Sequence, residues 1–272
     1  MRWSGLIVLT LLAACGASPS APAPDAVVPP FARVPFEAFS RQSVVAIALR
    51  EWRLFGQPID DAPPDMRPPR IPEQMPEREP GLWQRVGEYW WLGMDFGVKE
   101  SAYTGKHDAS GAVFPANVDA KYAWSAAFVS YVMRIAGAGP HFPYSPNHSY
   151  YINIAKQMAL GAAHGWLITA ERPDAYAPQL GDLICAGRDR AASLTYDNLP
   201  AGPFPAHCAI VADTSVPGQI SVIGGNVDDA VTLTHVPVTP DGKLAGPDGR
   251  ILDTRYPWMV VLRLLVGVPP VA

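Results

Sequence analysis

The segment from residue 180 to residue 265 decides the fold, because short β-rich runs alternate there with turns of glycine, proline and aspartate. The runs are DLICAG (182–187), HCAIVAD (207–213), QISVIG (219–224), AVTLTHV (230–236) and WMVVLRLL (258–265). Short runs that are rich in β-branched side chains and bounded by turn residues are typical of strands. We therefore predict an antiparallel sheet of five strands.

Upstream of these runs, apolar residues recur at helical spacing in several segments. The segments are residues 36–55, 81–92, 124–136 and 146–160. Gly56 follows the first segment as a C-terminal stop, and Ser145-Pro146 suits the start of the last one. Helices that precede an antiparallel sheet predict an α+β fold. Between the first two segments, residues 57–80 are rich in proline, which predicts an extended strap over the surface.

The beginning of the chain has the features of an export signal. Arg2 is followed by an apolar run over residues 6–12 and by two alanines, and then come Cys15 and Gly16. This order is typical of a secretory signal, and the run is shorter than the roughly 20 apolar residues of a membrane-spanning helix. The alternative is an ordinary signal peptide with a cut nearby and a spare cysteine. Residues 16–35 are rich in alanine and proline, which predicts a semi-stiff tether.

Composition limits the classes of partner and of site. The chain has a formal net charge of −4 and no cluster of lysine and arginine, which argues against nucleic acid as a partner. Cys185 and Cys208 form no zinc-binding pattern with His207, so we expect no metal and no cofactor. Two alternatives remain for the cysteines: a disulfide between neighbouring strands, or two buried free thiols.

Two resemblances to known families follow from these residues. The ending Leu-Ala-Ala-Cys of the signal resembles the bacterial lipobox, which implies that Cys15 is lipidated and anchors the protein to a membrane. By analogy with enterobacterial sorting, Gly16 rather than aspartate implies the outer membrane, facing the periplasm. Three later fragments in order are WSAAFVSY (124–131), GDLI (181–184) with HCAIV (207–211), and VIGGN (222–226). Over about residues 80–265 they resemble the NlpC-type and CHAP branch of papain-like cysteine hydrolases.

The second resemblance implies a papain-like fold and a hydrolytic site. It places a nucleophile at a helix N-terminus, a histidine on a strand and a polar third residue, which here are Ser125, His207 and Asn226. Serine stands where the family has cysteine. Because a serine cannot form a thiolate before attack, charge develops on the histidine in the transition state, where a carboxylate helps more than an asparagine. Asp228 or Asp229 is the expected source of that carboxylate.

Other residues near these fragments are candidates for lining a substrate cleft. Tyr122 and Trp124 flank Ser125, and His148 lies near the start of the following helix. Structural roles remain open for the candidates: Ser125 as a helix cap, His207 as a core histidine, and the cleft candidates as packing residues. Asn226 has the alternative of a turn residue with left-handed backbone.

The sequence thus predicts a signal peptide (1–14), a lipidated cysteine with its tether (15–35), an N-terminal helix with the strap (36–80) and a papain-like hydrolase-type domain (81–272). The expected function is hydrolysis of peptide or amide bonds in peptidoglycan. The expected partners are peptidoglycan or cell-wall peptide, and the membrane through Cys15. A catalytically inactive cell-wall-binding or scaffold lipoprotein is the alternative. A serine esterase is a third reading, although the chain lacks the Gly-x-Ser-x-Gly motif of α/β-hydrolases.

Overall fold

A computed structural model describes residues 37–63, 66–67, 71–244, 248, 250, 253 and 255–266. The predicted signal peptide, Cys15 and the tether lie outside the described residues. From Ala38 onward the chain forms one unit. Within the described ranges, no helix combines the length and the hydrophobicity that a membrane span requires.

Four α-helices form where the apolar spacing predicted them. They are α1 (Arg41–Leu54), α2 (Leu82–Gly93), α3 (Ser125–Ile135) and α4 (His148–Ala159). Ser40 caps α1 through a reciprocal pair of hydrogen bonds with Ser43, which satisfies amide groups that have no partner within the helix. The described helices precede the sheet in the chain, so the α+β prediction is confirmed.

The sheet has six strands rather than the five predicted. They are β1 (Ile168–Glu171), β2 (Leu183–Gly187), β3 (Ala206–Asp213), β4 (Gln219–Val227), β5 (Ala230–Pro237) and β6 (Trp258–Leu264). The spatial order is β1-β6-β2-β3-β4-β5, and every neighbouring pair is antiparallel. The strand that sequence analysis missed is β1, because four residues at a sheet edge are too few to establish an alternating pattern.

The two faces of the sheet are both covered, and side chains alternate between them along each strand. On β3, Cys208 and Ile210 belong to the core that the helices share, together with Phe128 of α3. Ala209 and Val211 belong to a second, smaller core on the opposite face. The face on which each β3 residue lies is therefore fixed by its odd or even position.

The cross-strand pair Cys185 and Cys208 forms a disulfide. The two residues are direct partners in the β2–β3 register, with 4.1 Å between their Cα atoms. Of the two alternatives that the sequence left open, the structure has the disulfide. It fastens the two central strands next to the position of His207.

Described parts of the proline-rich segment hydrogen-bond to the sheet. The backbone amide of Asp60 donates to the carbonyl of Leu233 on β5, at 3.0 Å, and Leu233 donates in turn to Pro58 at 3.0 Å. Farther along, the amide of Glu77 donates to the carbonyl of Asp229 at the β4–β5 turn, at 3.0 Å. This segment therefore follows the edge strand and brings Glu77 beside the turn that carries Asp229.

A buried aspartate connects α1 to the sheet. Asp182, whose side chain is fully buried, accepts hydrogen bonds from the Arg41 guanidinium at 2.6 Å and from the Leu264 amide at 2.9 Å. Tyr176 and the amide of Gln179 donate to its other oxygen. A buried charge is tolerated only when it is paired and hydrogen-bonded, and Asp182 meets both conditions.

Candidate functional site

The central contact of the site joins two residues that each begin a helix. Ser125 is the first residue of α3 and His148 is the first residue of α4. The Ser125 hydroxyl oxygen lies 2.6 Å from His148 Nε2, and both side chains are almost fully buried. A hydroxyl within hydrogen-bond distance of an imidazole nitrogen is the arrangement that a nucleophile and its base require.

A tyrosine holds the other nitrogen of the His148 ring. The hydroxyl of Tyr151 is hydrogen-bonded to His148 Nδ1, and Tyr151 has no exposed surface. The two residues are three positions apart on α4, which places their side chains on the same face of the helix. Because Nδ1 is held in this way, Nε2 is directed at Ser125.

The predicted pairing of Ser125 with His207 is wrong. The hydrogen bond of Ser125 goes to His148, and none joins it to His207 in the described part of the chain. His207 and Ala209 are two residues apart on β3, so their side chains leave the strand on the same face. That face is opposite the helical core. The His207 ring packs edge-on against His148, with 5.6 Å between the ring centroids.

Asn226 lies near the end of β4, and Asp228 begins the turn that joins β4 to β5. No hydrogen bond joins Asn226 to a histidine among the described residues. Both Asn226 and Asp228 have left-handed backbone, with φ angles of 57° and 54°. The register of β4 and β5 shifts between Gly224 and Val227, which explains the backbone of Asn226. Asp228 belongs to the two-residue turn between the paired residues Val227 and Ala230, and such turns require positive φ angles. The side-chain oxygen of Asn226 is buried without a hydrogen-bond partner among the described residues. Asp228 lies 3.9 Å from the guanidinium of Arg67.

A cleft with a volume of about 660 Å³ opens over the Ser125–His148 pair. Asn226, Asp228 and Asp229 lie along another part of its wall. His148 thus lines a cleft, as the sequence predicted, and that it binds substrate stays a prediction. Its contact with Ser125 was not foreseen. The spacing His-x-x-Tyr at a helix N-terminus indicates only that the two side chains share one face of the helix.

Tyr122 and Trp124, the other predicted cleft residues, do not line the cleft. Tyr122 stacks on Phe114, with 4.0 Å between ring centroids and an interplanar angle of 8°. Trp124 is fully buried, and its Nε1 donates a hydrogen bond to Glu77 at 2.5 Å. Both aromatic rings therefore support the residues before α3 by packing, since the start of the helix is surrounded by other aromatic side chains.

Burial keeps both histidines of the site neutral. The pKa of His148 is held well below 6.5 by burial, and the nearby His207 and Arg188 lower it further. Burial also lowers the pKa of His207 to about 3, with contributions from Arg188 and Arg67. At neutral pH the His148 ring is therefore uncharged, and the tautomer with its hydrogen on Nδ1 leaves the lone pair of Nε2 to accept the proton of Ser125. Burial raises the pKa of Tyr151 well above 10, so this partner is neutral too.

A group of three carboxyl side chains lies beside the cleft. Ligand oxygens of Glu77, Asp119 and Asp229 lie within 4.8 Å of one another. Burial and the charge of Asp229 raise the pKa of Glu77 to about 8, so this carboxyl holds a proton at neutral pH. Oxygen ligands of this kind suit a hard cation such as Ca²⁺ or Mg²⁺. The three residues are far apart in the sequence, which is why no motif revealed them.

Comparison with known proteins gives one family. A family model described as "Uncharacterized protein conserved in bacteria (DUF2272)" matches residues 77–264. Neither the curated proteins nor the solved structures contain a match. The matched segment includes Ser125, His148 and Tyr151. Because the match spans more than half of the chain, the protein belongs to this family of bacterial proteins.

Proposed function

We propose that this protein is a papain-like hydrolase in which Ser125 is the nucleophile, His148 is the general base and Tyr151 orients the base. The observation that carries the proposal is the 2.6 Å contact between the Ser125 hydroxyl and His148 Nε2 at the wall of a cleft. The substrate class is a peptide or amide bond, and the envelope signal in the sequence supports peptidoglycan as its source.

The proposed chemistry follows the sequence of acyl transfer. Ser125 Oγ attacks the carbonyl carbon while its proton passes to His148 Nε2, and the hydrogen on Nδ1 is donated to the Tyr151 oxygen. The first amide groups of α3 have no partner within the helix, and they support stabilisation of the oxyanion. His148 then gives its proton to the leaving amine. Water hydrolyses the acyl-serine by the same steps with His148 again as base.

The electrostatics of the site predict slow turnover. The transition state places a positive charge on His148, whose pKa is lowered by burial and by two neighbouring basic groups. Tyr151 carries no charge to compensate it. In a serine protease, replacing the aspartate behind the histidine with asparagine lowers the rate by about 10⁴. We therefore expect rates well below those of enzymes with a carboxylate in that position.

Two further expectations remain proposals for the whole protein. The packing of α3 against an antiparallel sheet, with a nucleophile candidate at its first residue, supports a papain-like arrangement. The Leu-Ala-Ala-Cys ending of the N-terminal segment supports lipidation of Cys15 and an outer-membrane location that faces the periplasm. Such a location puts the cleft next to peptidoglycan.

A second candidate function is binding of cell-wall peptide without cleavage, as a scaffold lipoprotein. The observation that favours it is the neutral Tyr151 where hydrolytic serine sites have a carboxylate. In this reading the cleft keeps its shape and its polar wall, and the Ser125–His148 hydrogen bond has only a structural role.

Digestion of purified muropeptides with the full chain tests the first candidate against the second. We expect the wild type to release fragments, and Ser125→Ala and His148→Ala to lose at least a hundredfold in rate. His164→Ala is the matched control, because His164 is exposed and lies outside the cleft. Binding of muropeptides without release by the wild type would support the scaffold. Release that is unchanged in Ser125→Ala would overturn the proposed nucleophile.

A further inference from the structure

A second cavity adjoins the cleft. It has a volume of about 310 Å³ and shares Arg67, Arg188, Asp189 and Asn226 with the cleft, so these four residues form the mouth between the two spaces. His207 lines the second cavity. The walls behind the mouth are largely apolar and include Ala186, Ala209, Val222, Val227, Tyr256 and Trp258.

Arg188 brings to this mouth a positive charge that no described residue pairs with. Its guanidinium forms no hydrogen bond or ion pair with any described residue, whereas Arg67 is paired with Asp60 at 2.6 Å. The charge of Arg188 reaches the site, because it lowers the pKa of both His148 and His207. An exposed arginine that faces a cleft without a carboxylate partner is suited to bind an anion.

Two acidic residues of the cleft lie beside other arginines. Asp119 pairs with Arg78 at 2.9 Å, and Asp228 lies 3.9 Å from Arg67. Asp189 is the neighbour of Arg188 in the chain, but no ion pair joins their side chains within the described ranges. The anion that Arg188 can bind must therefore come from outside these side chains.

Asn226 adds a second requirement at the same mouth. Its side-chain oxygen is inaccessible to solvent and has no hydrogen-bond partner among the residues that the structure describes. Because that oxygen is closed to solvent, the Asn226 side chain must rotate toward the mouth before a ligand can donate a hydrogen bond to it, and such a bond removes the cost of a buried acceptor without a partner. The mouth thus offers an acceptor for an N–H group close to a cation for an anionic group.

We propose that this mouth is a substrate subsite that binds a free carboxylate on Arg188, while the side-chain oxygen of Asn226 accepts a neighbouring amide N–H. The apolar cavity behind the mouth takes the side chain of the same substrate residue. The carboxylate belongs to an acidic side chain or to a free C-terminus, which have the same chemistry. This inference rests on the proposed function only in placing the bound residue beside the bond that Ser125 attacks.

Binding is measured with the full chain carrying Ser125→Ala, so that turnover plays no part. Calorimetric titration compares N-acetyl-Ala-Glu-amide with N-acetyl-Ala-Gln-amide, and N-acetyl-Ala-Ala with its C-terminal amide. We expect at least one acid to bind roughly tenfold or more tightly than its amide, as a charge-assisted hydrogen bond implies. The pair that shows this preference identifies the source of the carboxylate.

Arg188→Gln removes the preference in this account. Arg190→Gln is the matched control, because Arg190 is also exposed and donates to the carbonyl of Pro203 outside the mouth. Equal affinity for acid and amide in both pairs would overturn the subsite, as would a preference that survives Arg188→Gln. A preference in a protein whose wild type cleaves no muropeptide would support the subsite and contradict the hydrolase. Cleavage of muropeptides by the wild type, without a preference for acid over amide, would support the hydrolase and contradict the subsite.

Discussion

At the scale of single residues, the choice between His148 and His207 determines the chemistry of the site. Sequence comparison by motif favoured His207, because a histidine before an apolar strand follows the family pattern. Because side chains alternate along β3, the His207 side chain leaves the strand on the face opposite the helical core. The hydrogen-bond partner of Ser125 is instead His148, which comes from α4. A motif records the order of residues along the chain, whereas the direction of a side chain depends on register and on the neighbouring helix.

Tyr151→Phe tests the orienting role of the tyrosine. Loss of the hydroxyl leaves His148 Nδ1 without its partner, so the ring is no longer held toward Ser125. We expect kcat to fall by roughly 10- to 100-fold with little change in KM, since the effect is on alignment of the base. Tyr150→Phe is the control, because the neighbouring Tyr150 is exposed. Equal effects of the two substitutions on kcat would contradict the role.

Glu77→Gln tests whether the Glu77 carboxyl group is protonated at neutral pH. The pKa of Glu77 is about 8 in the folded protein and 4.5 without the fold, so its contribution to stability is complete below about pH 4.5 and is lost as pH rises through 8. One pKa unit corresponds to about 1.4 kcal/mol, so the loss amounts to a few kcal/mol.

Thermal unfolding of both proteins at several pH values measures this effect. The glutamine keeps an acceptor for Trp124 Nε1 and does not titrate. Relative to the variant, the wild type is therefore expected to lose stability between pH 5 and pH 8. The histidines act in both proteins and cancel in the difference. Parallel curves for the two proteins would show that Glu77 is not protonated by its surroundings.

At the scale of elements, the sequence predicted the helices α1 to α4 but missed the edge strand β1. The four helices have enough residues to display an apolar face, and α1 to α4 lie where that face predicted them. β1 has four residues, and only Ile168 and Ala170 of them are buried, so its pattern is hidden in the sequence. The pairing of β1 with β6 depends on chain closure over a long separation, which local patterns do not contain.

Asp182→Asn tests how α1 is held to the sheet. The carboxylate accepts four hydrogen bonds, one of them from the Arg41 guanidinium, and an amide cannot accept all of them. Breaking a buried charged pair costs roughly 3–5 kcal/mol. We expect a loss of about 3 kcal/mol in the free energy of unfolding, measured with urea. Asp174→Asn, at a half-exposed ion pair with Arg172, is the control and should change it by less than about 1 kcal/mol. A loss no greater than that of the control would contradict this role of Asp182.

At the scale of the whole molecule, a cleft between two helix N-termini and the ends of two interior strands brings the candidate groups together. Ser125 and His148 each begin a helix. Arg188 directly follows β2, and Asn226 lies near the end of β4. The sequence indicates Ser125, His148 and Asn226 as candidates, but it does not reveal the cavity behind the mouth or the buried carboxyl group of Glu77. Both depend on where the proline-rich segment and the β4–β5 connection meet in space.

Covalent trapping of Ser125 is the measurement that tests the central claim most directly. The full chain is incubated with a fluorophosphonate, which reacts with serines that a base activates, and the modified peptide is located by mass spectrometry. We predict one adduct on Ser125 in the wild type and in His164→Ala, and none in His148→Ala. Absence of an adduct on Ser125 in the wild type, or an adduct that persists in His148→Ala, would contradict activation of Ser125 by His148.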